Sequence, residues 1–229
     1  ESLEPAIAHP LTTGEPEPAD GGGAEPAGPL PGLDQSDAAV RDALAQAFGA
    51  PPIDAFLIPD RLVRRIVATI DSLDNDPVRL KQRPLQPVVG RPVIARGEND
   101  TMILSVENDD RYDAFVSAFD AANTRMLVSG YRRYYPLFQR AYEELGYPDR
   151  YFNDRVVQII DHLLGAPSVA PPIVLIQPKA LYQFADPRLE NLSWGRKLLI
   201  RIGQVHAETV KRKLGEIRTA ISAGGIDTQ

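Results

Sequence analysis

Side chains that could grip a ligand are concentrated in one stretch, YRRYYPLFQRAYEELGYPDRYFNDR at positions 131–155. It contains six of the chain's eight tyrosines, all between Tyr131 and Tyr151, interleaved with five arginines. Phenols and guanidinium groups suit binding surfaces, where amphipathic aromatics and arginine dominate hot spots. Spacing separates this crowd into two sets. Leu127, Tyr131, Tyr135, Phe138, Tyr142 and Leu145 fall on one helical stripe, which predicts burial. Each hydroxyl in such a stripe needs a partner or costs on the order of 1–3 kcal/mol, so a polar network with Arg140, Asp154 or Gln158 is expected. Tyr147, Asp149, Arg150, Tyr151, Asn153, Asp154 and Arg155 lie off the stripe, and they form the candidate binding site. Gln177, Lys179 and Tyr182 are added to it. The competing reading is a structural knot of Arg–Asp pairs.

The elements that must position these residues follow from the punctuation. Gly146 stops the first helix, Tyr147-Pro148-Asp149 is a turn, and a second helix starts near Asn153 and ends at Gly165. The result is an αα-hairpin whose seam packs the tyrosines on Val156, Ile159, Ile160 and Leu163. Pro136 should kink the first helix or restart it, with Arg132, Arg133 or nearby hydroxyls satisfying the freed carbonyls.

The rest of the chain reads as mainly α, a single helical domain with a small β-hairpin or short sheet. A helix is expected from Ser36, ending at Gly49-Ala50-Pro51-Pro52, and another from Pro59-Asp60 with Arg61, Arg64 and Arg65 on the wet side. Strands are expected at 93–96 and 101–106, and an extended piece in PPIVLIQP. A helical turn from Pro187, a helix from Ser193 and a last helix from about Gln204 follow. Residues 1–33 are read as a disordered Pro/Gly/acid-rich linker, 34–222 as the domain and 223–229 as a disordered tail.

Composition excludes several classes of function. With no cysteine there is no disulfide and no sulfur-based zinc site, and three scattered histidines suggest no metal cluster and no cofactor. Asp71, Asp74 and Asp76 in DSLDND lack the glycine and final glutamate of a calcium loop. The net charge of −6 is dominated by seven acids in residues 1–35, which leaves a near-neutral body and argues against a nucleic-acid partner. Seven bases between Gly195 and Arg218 could touch anionic lipid or wall polymer, against the plainer reading of a solvated helix face. No apolar run reaches the roughly 18 residues of a membrane span, so a soluble chain is expected. Its first residue, Glu1, predicts a processed or truncated piece. Asp161 and His162 diverge on one helix and form no catalytic pair. The one enzymatic alternative is peptidoglycan binding or glycan cleavage with Glu143 or Glu144 as acid, though the Glu-Ser pair of lytic transglycosylases is missing.

The strings YPLFQRAYEELGYPDRYFNDRVVQIIDHLL and LIQPKALYQFADPRLENLSWGRKLLIRIG resemble the bacterial family called domain of unknown function 3014, over about Leu33 to Ile221. The resemblance implies an N-terminal membrane segment followed by a proline-rich linker, hence a periplasmic domain anchored in the bacterial inner membrane. It implies no activity. Arg196 stands where the family pattern suggests glutamine. The expected function is therefore a non-catalytic envelope adaptor with a protein partner.

Overall fold

A computed structural model of the protein describes residues 7–11 and 28–222. Helices α1 (Asp37–Phe48), α2 (Ala50–Phe56) and α3 (Leu62–Ser72) come first, then strands β1 (Ile94–Arg96) and β2 (Met102–Leu104). Helices α4 (Asp113–Ala121), α5 (Thr124–Leu145) and α6 (Phe152–Leu164) follow. Strands β3 (Ile173–Ile176) and β4 (Gln183–Phe184) and helices α7 (Pro187–Glu190), α8 (Trp194–Arg201) and α9 (Gln204–Ser222) complete the order. The mainly helical class is as expected.

The αα-hairpin is α5 and α6, and it is the centre of the domain. Gly146 ends α5 at φ 122°, a conformation that suits a residue without Cβ. Tyr135, Phe138 and Tyr142 are buried in one cluster with α1, α3, Val156, Val157 and Ile221 of α9. The other side of α6 turns away from the tyrosines: Ile159 and Leu163 pack with Leu199 of α8 and against Val210 and Leu214 of α9. The predicted seam is thus correct for Val156 and Ile160, while Ile159 and Leu163 serve a second core. A helix covered on both sides needs both apolar faces.

Several local expectations are overturned. Helix α5 runs as one element through Pro136, so no new helix starts there. Arg132 instead donates to the carbonyl of Ala220 at 2.9 Å, and Arg133 to that of Gly28 at 3.2 Å. Pro51 and Pro52 open α2 rather than ending α1, because the first helical turn needs no backbone donor from proline. Arg65 is buried rather than wet. Its guanidinium reaches the Asp60 carbonyl (2.7 Å) and carboxylate (2.8 Å) and the Arg83 carbonyl (3.0 Å). Asp37, at the start of α1, accepts from the backbone nitrogens of Arg61 (2.7 Å) and Leu62 (2.8 Å), so it caps α3.

The sheet is antiparallel in the order β1-β2-β3-β4. Its inner residues Leu104, Ile173, Leu175 and Phe184 close over Ile200 of α8. Strand β4 carried too few residues for an alternation signal. Asn108, fully buried, joins sheet to helices by donating to the Arg201 carbonyl at 3.0 Å and accepting from the Val93 nitrogen at 3.2 Å. An apolar cavity of about 190 Å³ remains among α1, α3, α5, α6 and α9, lined by Val40, Ile66, Tyr131, Phe138 and Ile217 among others.

Most of residues 1–33 and all of 223–229 lie outside the described residues, and with them most of the linker and the tail. Where the linker is described, it lies on the domain. Leu33 is buried, and residues 7–11 dock beside α6.

Candidate functional site: the start of helix α6

The seven hairpin residues divide by role. Arg155 points inward from α6 onto the end of α3. Its Nη1 and Nη2 donate to the two oxygens of Asp74, each at 2.8 Å, and its Nε to Asp71 at 2.8 Å. Nη2 also reaches the Asp71 carbonyl at 2.6 Å. Burial alone would lower this guanidinium's pKa, but the bonds and charges of Asp74 and Asp71 override it and raise it. This is the structural knot, and DSLDND supplies its acids. Tyr147 belongs to it. Its ring stacks on Tyr142 with centroids 4.6 Å apart, and its hydroxyl donates to Asp71 at 3.2 Å. The negative charge of Asp71 and then burial raise that phenol's pKa. Arg150 is exposed and lies over the Tyr147 ring at 5.7 Å; Asp149 is exposed beside it.

Asn153, Asp154 and Tyr151 face a different way, and they hold the main chain of residues 7–11. Both Asp154 oxygens accept successive backbone N–H groups, from Ala8 at 3.0 Å and His9 at 2.7 Å. Asn153 Nδ2 donates to the His9 carbonyl at 2.8 Å. The Tyr151 hydroxyl accepts from the Leu11 nitrogen at 2.9 Å, and the Leu11 side chain is buried in the main core. Pro10, which has no N–H, falls where the site offers no acceptor contact.

This grip is built into the hairpin. Asn153 is 0% exposed, and its Oδ1 accepts from the Tyr131 hydroxyl at 3.2 Å. Its Nδ2 also donates to the Ile221 carbonyl at 3.3 Å, and its backbone N–H donates to the Tyr135 hydroxyl at 3.2 Å. Tyr135 in turn donates to Gln139 Oε1 at 3.0 Å. Burial is the main cause that pushes the Tyr131 and Tyr135 phenols well up, so both stay protonated donors. The seam network therefore exists, but its partners are Asn153 and Gln139 rather than Arg140 or Gln158.

Gln177, Lys179 and Tyr182 are not brought to this site. The first two are exposed in the β3–β4 connection, where Gln177 donates to the Ala180 carbonyl at 3.4 Å. Tyr182 packs on the sheet core. The residues that sequence reasoning missed are Ile7–Leu11, because a segment outside any helix or strand, held through its backbone, carries no periodic signal. Asn153 was legible as a helix start and as a member of the candidate site, but not as the buried residue that links the segment to the tyrosine hydroxyls.

Other chemistry finds no constellation among the described residues. No group of three or more His, Asp or Glu could hold a metal there. His162 Nε2 lies 2.7 Å from Ser193 Oγ, but that hydroxyl caps α8 by accepting from the Arg196 nitrogen, and the nearby Asp74 is held by Arg155. Arg196 itself donates to the His162 carbonyl at 3.0 Å. Glu144 is paired with Arg64 at 2.8 Å and Arg140 at 3.3 Å, and Glu143 accepts from Gln139 at 3.0 Å. All seven C-terminal bases are engaged. Arg196, Lys211 and Lys213 bond carbonyls; Lys197, Arg212 and Arg218 pair with acids; Arg201 lies 5.0 Å over the Phe184 ring.

The family model described as "Protein of unknown function (DUF3014)" matches residues 62–218. The chain belongs to this family. The match begins at the first residue of α3 and takes in the hairpin, the sheet and most of α9, so α1, α2 and the docked segment lie outside it. No curated protein and no solved structure matches the chain.

Proposed function

We propose that this DUF3014 domain is a non-catalytic binding module of the bacterial envelope, displayed from an inner-membrane anchor into the periplasm, and that the start of α6 meets a protein partner. One observation carries the reading: Tyr151, Asn153 and Asp154 already hold a short peptide segment, bent at Ala8 and His9, and do so through its backbone. Recognition by main-chain bonds plus one aliphatic pocket is how domains take short linear segments. Arg150 and Asp149, exposed in the turn just before Tyr151, add charged surface next to these residues in the chain. Display from an anchor is supported by the family resemblance and by the Pro/Gly/acid-rich composition of residues 1–33. Among the described residues no helix is long and apolar enough to cross a membrane.

The test is a photo-crosslinking residue at Arg150 in the full-length protein in living cells, with Val205 as control, since both are exposed. A discrete protein adduct at 150 and none at 205 is expected. No adduct at 150, or the same adducts at both, would remove the hairpin from the search for a partner. A peptidoglycan-binding or glycan-cleaving module is the alternative reading, with less in the site to support it, because Glu143 and Glu144 are engaged by neighbours.

A further inference from the structure

We infer that Ile7–Leu11 is an intramolecular occupant of a peptide-recognition groove, and that the partner displacing it presents a segment bent like this one, with two successive N–H groups turned to one side, ending in proline and an aliphatic residue. This deepens the function proposed above and rests on that reading. The bonding pattern defines the ligand. Two successive N–H groups meet one carboxylate, Asp154, and the carbonyl between them and the proline meets Asn153. The position after proline gives its N–H to Tyr151 and its side chain to the core. Ala8 and Pro10 are exposed, so the groove reads backbone at those positions, while His9 is half-buried and Leu11 gives its side chain to the core. Proline restricts the segment's φ before binding, which lowers the entropy cost of ordering it.

The groove does not depend on the segment for its shape. Asn153 is positioned by Tyr131, Tyr135 and Ile221, all within the folded body. Removal of the segment strands one Asn153 donor and leaves the Asp154 oxygens without the two N–H groups, so a replacement of the same chemistry is favoured. The segment belongs to the same chain as the groove, so it competes at an effective concentration on the order of millimolar. A free ligand must outcompete it. The segment therefore acts as a built-in competitor that sets a threshold on partner binding.

The experiment uses the full chain and a fluorescent peptide, EPAIAHPLTT, copied from residues 4–13, read by anisotropy. Two variants open the groove from the segment's side: Leu11→Asp removes the buried side chain, and His9→Pro removes an N–H to Asp154. Expected is at least tenfold tighter peptide binding to either variant than to the unmodified chain, lost on adding Asp154→Ala. A peptide carrying Asp in place of its leucine should not bind. The inference is overturned if the His9→Pro chain, with unchanged helical circular dichroism, binds the peptide no better than the unmodified chain. It is equally overturned if Asp154→Ala leaves binding intact. Because this assay contains no cellular partner, its failure is separate from failure of the crosslink at Arg150, which tests the adaptor reading alone.

Discussion

Arg155 and Asp74 meet in a two-pronged pair, Nη1 on Oδ2 and Nη2 on Oδ1, both at 2.8 Å. The pair fastens the first turn of α6, which carries the peptide groove, to the end of α3. Both side chains are largely withdrawn from water, at 13% and 21% exposure. The groove is therefore held from behind by charge and from inside by tyrosine hydroxyls.

Removing one partner of a buried pair leaves the other uncompensated. Arg155→Ala should destabilise the domain by about 3 kcal/mol, at the lower end for such pairs. Arg155→Lys keeps the charge but loses the fork that spans Asp74 and Asp71, so it should recover only part of the loss. Urea midpoints at constant slope measure both. Equal midpoints for Arg155→Ala and the unmodified chain would show that the knot adds nothing.

Acid sensitivity should come in two windows. Burial, then the Arg196 charge, lowers the His162 pKa below its ordinary 6.5. The unfolded chain then binds more protons as pH drops below 6.5, so stability falls through that interval. Asp74 adds a second loss. Burial would raise its pKa, but Arg155 lowers it below the ordinary 3.8, so its contribution is complete above 3.8 and disappears as pH falls through the lower folded value. His162→Gln should flatten the melting temperature across the first window only. An unchanged slope there would assign the effect to another group.

How much of this was legible follows from what kinds of signal each element leaves. The stripe through Tyr135, Phe138 and Tyr142 and the stop at Gly146 placed the hairpin, because burial repeats with the helical period; Leu145 at the stripe's end is exposed instead. Pro136 and Pro51-Pro52 misled. A proline rule describes backbone cost, and the packing of α5 on four neighbours outweighs it in one case, while the first turn of α2 avoids it in the other. Choosing the acids that bind Arg155 was beyond the sequence, since Asp71 and Asp74 lie far away along the chain. The docked segment left no trace at all. Backbone recognition uses groups that every residue carries, and only Leu11 among its members is buried.

Gly195 sets how closely α8 packs on α3. Its nitrogen donates to the Leu73 carbonyl at 2.8 Å, which brings the start of α8 against the end of α3. A Cβ there would stand 2.6 Å from Leu163 Cδ2 and 2.7 Å from that carbonyl. Backbone has little freedom to retreat, so Gly195→Ala should destabilise by about 1–3 kcal/mol through overpacking. Thermal denaturation checks it, and a stabilised variant would mean the helices separate without cost.

The apolar pocket of about 190 Å³ beside Tyr131 is partly open to solvent and offers water few polar partners. A small aromatic molecule should occupy it as a ligand of the folded state alone, raising the melting temperature with benzene concentration. Methanol at equal concentration is the control. No shift with benzene would show that the helices close the space in solution.

Glu143 and Glu144 decide the enzymatic alternative. A glycosidic acid works from a site that keeps its proton, commonly apolar and aimed at the scissile oxygen. Glu144 instead accepts from Arg64 Nε at 3.2 Å and Nη2 at 2.8 Å and from Arg140 Nε at 3.3 Å. Glu143 is exposed and bonded to Gln139, one turn back on the same helix. Their positions tie α5 to α3 and to itself, a role worth less than about 1 kcal/mol for exposed pairs. The purified domain should release no muropeptides from sacculi beyond a buffer control, and Glu143→Gln and Glu144→Gln should behave alike. Release that either substitution abolishes would establish glycan cleavage and displace the adaptor reading.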